Sequence, residues 1–245
     1  MNYKPSPDKT HHQNHFLLTM NIQKKFDIFV FSKTADYRHD SIPAGIEGLK
    51  NLGASSNSFD VTASEDASLI NAGFLARFKA VVFLSTSGEF LTTEQLQGLK
   101  TYVNGGGGFV GVHCAAAGMY SQPWYGELVG AYFAGHPVPH RSVVRVESKV
   151  RDHVVVSGLP EEIEWFDEWY NFKENPWGKV TVLLSTDEEL YTGGTMGRDH
   201  PLAWCREFDG GRTFYTALGH FDEAFRDQAF MTHLLNGILW AARVV

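Results

Sequence analysis

Apolar residues in this chain fall into short continuous runs, separated by stretches with helical spacing. Phe26 to Phe31 is an apolar run closed by Ser32-Lys33, the pattern of a parallel strand buried on both faces. Asp40 or Ser41 then caps a helix with Pro43 in its first turn. Ile42, Ile46, Leu49 and Leu52 share one face of it, and Gly53 is expected to close it. Phe59 to Ala63 alternates weakly as a second strand, and Lys79 to Leu84 is a third, very apolar one. Thr92 and Gln95 form a capping box ahead of the stripe Leu96, Leu99 and Val103. Gly105 to Gly108 stop that helix and feed the strand Phe109 to Val112. These glycines precede a strand rather than open a helix, so they read as a turn and not as a phosphate loop.

The order strand-helix, repeated to a fourth strand, predicts a three-layer α/β/α fold. Its sheet is mostly parallel, of the flavodoxin-like kind, with helices on both faces. The second half is more mixed. Ser142 to Val146 and Val180 to Ser185 read as strands, while Leu202 to Glu207 and Thr213 to Leu218 flank the hairpin signal Asp209-Gly210-Gly211. Phe230, Leu234, Ile238 and Ala241 line a closing helix. A loop-rich, aromatic insert is expected from Trp124 to Trp177. Residues 1–22 are polar and patternless, without the basic start and apolar stretch of a signal peptide, and are expected to be a disordered leader to a single domain over 23–245.

Composition narrows the class. At 43% hydrophobic and 20% charged, the chain has ample material for a core. Its net charge of −7 and scattered lysines and arginines argue against a nucleic-acid partner. No apolar run is long enough to cross a bilayer. Two cysteines point to a reducing, cytoplasmic compartment, and a homodimer is the default assembly.

Chemistry concentrates where strands end, since open parallel sheets bind ligands outside the carboxyl ends of their strands. Phe109-Val-Gly-Val-His113 has the layout of a nucleophile elbow, with His113 in the lifted position usually held by Ser or Cys. His39 follows the first strand, and His220 with Asp222 follows the last hairpin strand. Three histidines from separate segments thus reach one edge. With a carboxylate they suit a divalent, zinc-like metal, for which His113 and His220 are candidates, although no dense local ligand spacing exists. His136 and His140 lie in a loop that can cover the site; His153 and His200 are weaker candidates, and His233 belongs to the apolar last helix. Glu164 to Tyr170 interleaves acidic and aromatic residues, as sugar recognition does. Glu168 and Tyr170 are expected to be its exposed members, beside the packed aromatic face of an edge strand.

Six ordered motifs together resemble the ThuA-like, trehalose-utilisation family, from about Lys25 to Val245. They are Tyr37-Arg-His-Asp-Ser-Ile42, Gly107-Gly-Phe-Val-Gly-Val-His113, Asp152-His153 with Gly158-Leu-Pro160, Asp167-Glu-Trp-Tyr170, His200-Pro-Leu-Ala-Trp204 and Leu218-Gly-His220. The resemblance implies a class I glutamine amidotransferase-like fold. It departs from glutaminases at the elbow, where His113 replaces Cys, although His220-Phe-Asp222 is similar to their later His-x-Glu pair; glutaminase activity is therefore not expected. What it implies instead is sugar catabolism, with a 3-keto-disaccharide or related glycoside as the small-molecule partner. On that reading His113 and His220 are the acid/base pair and Asp222 orients His220. Glu168, Tyr170, His136 and Trp169 bind the sugar, and His39 lines the pocket. Two other readings stand beside it: a non-catalytic sugar-binding protein, and a hydrolase that uses Cys114.

Overall fold

The computed structural model describes residues 25–245, so the leader expected over 1–22 lies outside the described residues. The elements are β1 (Phe26–Phe31), α1 (Ile42–Ser55), β2 (Phe59–Ser64), α2 (Ala72–Leu75), β3 (Ala80–Leu84), α3 (Thr93–Asn104), β4 (Gly108–Val112) and α4 (Pro123–Val129). There follow β5 (Phe133–Gly135), β6 (His140–Val146), β7 (Glu162–Asp167), β8 (Asn171–Phe172), β9 (Thr181–Thr186), β10 (His200–Phe208), β11 (Gly211–Thr216) and α5 (Gln228–Ala241).

The main sheet runs β2-β1-β3-β4-β11-β10-β9-β6-β7. From β2 to β11 neighbouring strands are parallel, as the continuous apolar runs require. From β11 to β7 they are antiparallel. Four successive reversals leave β7 pointing the same way as β11, so the carboxyl ends of β1, β4, β11 and β7 share one edge of the sheet.

Alternation along the strands divides the core in two. Ile28, Val30, Val110 and Val112 face α1 and α5, through Leu49, Phe230, Leu234 and Ile238. Phe29, Phe31 and Phe109 face α3 and α4, through Leu96, Leu99, Tyr125 and Leu128. Two apolar layers around one sheet are the expected α/β/α arrangement.

Local signals agree closely in some places. Thr92 and Gln95 make the reciprocal capping box of α3. Phe208 pairs with Gly211 across a two-residue hairpin turn, in which Asp209 and Gly210 both have positive φ. Elsewhere the structure differs. Ser41 is the N-cap of α1, but its buried hydroxyl makes no capping bond. Gly53 lies inside α1 rather than closing it; a Cβ there would collide with the Phe59 carbonyl, so the glycine serves close helix–strand approach. The Trp124–Trp177 stretch is not a loop-rich appendage, because it supplies α4, β5, β6, β7 and β8. No helix among the described residues is long and apolar enough to cross a membrane.

His233 belongs to the core, as its place in an apolar helix suggests. It is fully buried in α5, with its ring edge-on to Phe214 at 4.9 Å. Burial penalises the charged form and pushes its pKa down from 6.5 to about 4. Its contribution to stability is therefore fully present above pH 6.5 and is lost as the pH falls towards 4, because the unfolded chain takes up the proton first. Urea denaturation across this window should show a loss of up to about 3 kcal/mol from this residue. His233→Leu should flatten the acid limb; an unchanged pH profile in the variant would refute the assignment.

Candidate functional site

Four polar side chains from four segments converge at the shared strand edge. His39 comes from the loop between β1 and α1, His113 directly follows β4, Glu168 directly follows β7, and His220 lies just beyond β11. One ligand-type atom of each lies within 4.8 Å of all the others.

His113 is the centre of the group. The turn after β4 holds it at φ 51°, a left-handed conformation that costs a non-glycine residue about 1–3 kcal/mol. This strained turn lifts the ring above the sheet, and the chain continues as a short 3-10 turn, His113–Ala116. The ring is fully buried. Its Nδ1–H donates to the Ala217 carbonyl at 2.7 Å, and because a carbonyl only accepts, the neutral ring presents a lone pair at Nε2. Around that lone pair stand Tyr170 Oη at 2.9 Å, His39 Nε2 at 3.0 Å, His220 Nδ1 at 3.3 Å and Glu168 Oε2 at 3.4 Å.

Glu168 bridges inward and outward. Its Oε2 is also 3.1 Å from His220 Nδ1, while its Oε1 faces His136 Nε2 at 3.3 Å. Burial alone would raise its carboxyl pKa. Its contacts with His113 and His220 outweigh burial and hold it well below the usual carboxylate range. His39 is pushed down to about 3, first by burial and then by the neighbouring His113 and His220, so it stays neutral at physiological pH.

A residue outside the expected set positions two of these groups. The buried Asp167 carboxylate accepts from Trp165 Nε1 at 2.9 Å, the Glu168 amide at 2.9 Å, the Gly219 amide at 2.9 Å and the His220 amide at 3.2 Å. It thereby clamps the end of β7 to the turn carrying His220. Gly219 gives that turn its φ of 114°, which an L side chain rarely adopts. The available signal was the adjacency of Asp167 and Glu168 at the end of an alternating strand, in which successive residues face opposite ways.

A cavity of about 350 Å3 opens beside the cluster, lined by His39, Glu168, Tyr170, His136 and Cys114 together with Tyr37, Tyr120, Phe133 and Asp36. A larger groove of about 530 Å3 runs along Phe166 and Phe221, but it holds none of the four converging residues.

Several expected site residues are placed differently from the sequence reading. Glu168 and Tyr170 are buried rather than exposed, because the chain turns inward after β7. Trp169 faces the opposite layer, stacked on Tyr191 at 5.7 Å and donating to the His140 carbonyl, and so does not reach the cavity. Trp165 packs on Phe230. Asp222 makes no hydrogen bond or ion pair with His220. It opens a 3-10 turn and pairs with Arg226 at 3.9 Å, and Glu168 is the carboxylate that meets His220. His140 bonds its own loop, and His153 caps a short turn. His200 donates to the Tyr170 carbonyl at 2.8 Å and so supports Tyr170 from behind. Cys114 borders the cavity, yet burial pushes its thiol up to about 12; a hydrolase would need a thiolate there.

Replacing Asp167 by Asn puts an amide NH2 against N–H donors. We expect Asp167→Asn to lose about 1–3 kcal/mol in urea denaturation, from donors left unpaired. An unchanged midpoint would show that the clamp is not needed.

Comparison with known proteins agrees with the fold. No curated protein matches the chain. A ThuA-like protein of Parabacteroides merdae superposes with a TM-score of 0.73 at 24% identity, covering 89% of this chain and 90% of that one. A ThuA-like protein of Bacteroides uniformis gives 0.72 at 24% identity, covering 88% and 91%. A cytoplasmic protein of Salmonella typhimurium gives 0.62 at 15% identity, covering 88% and 99%. Residues 27–241 match the family model described as trehalose utilisation, and the chain therefore belongs to the ThuA family.

Proposed function

We propose that this chain is a cytoplasmic enzyme of sugar catabolism that acts on a keto-sugar, such as a 3-keto-disaccharide, by acid/base chemistry. The observation that carries the proposal is the convergence of His39, His113, His220 and Glu168 beside a cavity with aromatic walls. Tyr37, Tyr120 and Phe133 offer rings for the C–H faces of a sugar, while Asp36 and Ser87 offer hydroxyl partners. Family membership supports a sugar role, and the two free, buried cysteines suit a reducing compartment.

A ketone acidifies the C–H bonds beside it. In the proposed reaction an imidazole takes that proton, and the C–H electron pair moves onto the ketone oxygen as an enediolate. Returning the proton to the former carbonyl carbon isomerises the sugar, and returning it to the same carbon from the opposite face epimerises it. Expelling a β-oxygen instead eliminates a glycoside. Exposure divides the roles. His113 is sealed from solvent and lies behind the cavity wall, so it does not meet the carbon-bound proton itself. His136, with 32% of its side chain exposed, borders the cavity. Its Nδ1 donates to the Pro137 carbonyl, so Nε2 is the atom that exchanges the proton, with Glu168 Oε1 3.3 Å away to accept it in turn. The developing negative charge on oxygen requires a positive partner at the buried cluster.

Incubation with a 3-keto-disaccharide in D2O, followed by NMR, should show deuterium entering beside the ketone and product accumulating. His136→Gln should slow this about 10²- to 10⁴-fold. Binding without exchange or turnover would replace this reading with that of a non-catalytic sugar-binding protein.

A further inference from the structure

We infer that His39, His113, His220 and Glu168 form a centre for one divalent transition-metal ion, with zinc the ion their chemistry suits best. The donors are His39 Nε2, His113 Nε2, His220 Nδ1 and Glu168 Oε2. Imidazole and carboxylate together favour zinc and its first-row neighbours over calcium or magnesium.

Spacing is the first argument. A tetrahedral site with bonds of about 2.0–2.1 Å holds its donor atoms about 3.3 Å apart. The separations here are 3.0 Å for His39–His113, 3.3 Å for His113–His220, 3.4 Å for His113–Glu168 and 3.1 Å for His220–Glu168. Four of the six separations thus match this spacing, the other two, from His39 to His220 and to Glu168, lie within 4.8 Å, and the four segments are distant in sequence with no local motif.

Proton count is the second argument. His113 gives its Nδ1 proton to Ala217, so Nε2 offers one lone pair, which can take one hydrogen. Yet three further polar atoms crowd it besides the Tyr170 hydroxyl, and one is a carboxylate oxygen. Lone pair facing carboxylate is repulsive. A cation at the common point turns these repulsions into ligation, and Tyr170 is then free to donate to a substrate oxygen in the cavity it lines.

Support around the donors is the third. Metal-bound histidines ordinarily give their other N–H to a carbonyl or carboxylate, as His113 does. The second oxygen of Glu168 meets His136, and Asp167 fixes the backbone of both Glu168 and His220. His39 and Glu168 border the cavity, so an additional coordination position would open towards substrate. A dication on three neutral imidazoles and one carboxylate leaves a net positive charge, the electrophile that enediolate chemistry needs.

The inference deepens the sugar reading and shares its cluster, but metal content and sugar turnover are measured separately, so either can fail alone. The test uses the full chain without an affinity tag, stripped with chelator and reloaded with Zn2+ or Co2+. Elemental analysis should find one ion per chain, and Co2+ should give visible absorption of a nitrogen–oxygen site. Glu168→Gln and His220→Gln, each checked for folding by circular dichroism, should weaken the ion about 10- to 100-fold or more. Asp222→Asn, and alanine at His11, His12 and His15 together, should leave it bound. Absence of a stoichiometric ion, equal affinity in folded Glu168→Gln and His220→Gln, or loss of the ion with the leader histidines would each overturn the proposal.

Discussion

Asp167 accepts hydrogen bonds from four N–H groups while almost fully buried, and the site depends on that concentration of donors. A buried charge is costly unless its lone pairs are satisfied, and here they are met by the Trp165 indole, the Glu168 amide at the end of β7 and the amides of Gly219 and His220. The clamp joins β7 at the edge of the sheet to the turn after β11, although β10, β9 and β6 stand between them. Glu168 and His220 are brought to one point by this bond set. Without it, two ends of separate strands would be free to drift apart, and the carboxylate would not meet the imidazoles.

The remaining two residues reach the same point by a different route. His39 and His113 follow parallel strands, and parallel strands deliver their ends to one edge by construction. His113 adds backbone strain, which the surrounding core tolerates because Tyr215 bonds its carbonyl and Ala217 bonds its ring. The result is a polar cluster sealed on the protein side and open to a cavity on the other. This combination is what acid/base or metal chemistry uses: fixed donors, low solvent access and an adjoining cavity.

Legibility followed how local the cause was. The capping box of α3, the hairpin at Asp209-Gly210 and the apolar strands are set by neighbours in sequence, and they appear where the pattern put them. The strained turn at His113 was also readable, because a short apolar strand running into small residues has few other solutions. Trp169 and Tyr170 were harder to read. In an aromatic, acidic stretch the composition suggests a sugar surface, yet Trp169 packs on Tyr191 in one layer and Tyr170 on His113 in the other. Asp222 followed the same course. Its spacing from His220 suits a catalytic pair, but a 3-10 turn carries it towards Arg226.

By itself the sequence determined the layered α/β arrangement, the family and the histidines at strand ends. These rest on periodicity, turn chemistry and ordered motifs, all of which act over a few residues. Tertiary structure alone decided that Glu168, and not Asp222, completes the histidine cluster, and that Asp167 holds it in place. That choice turns on the direction of β7, which four antiparallel reversals bring back into line with β11. Strand direction across a sheet is a property of long-range pairing, and no local pattern encodes which carboxylate it will carry to the shared edge.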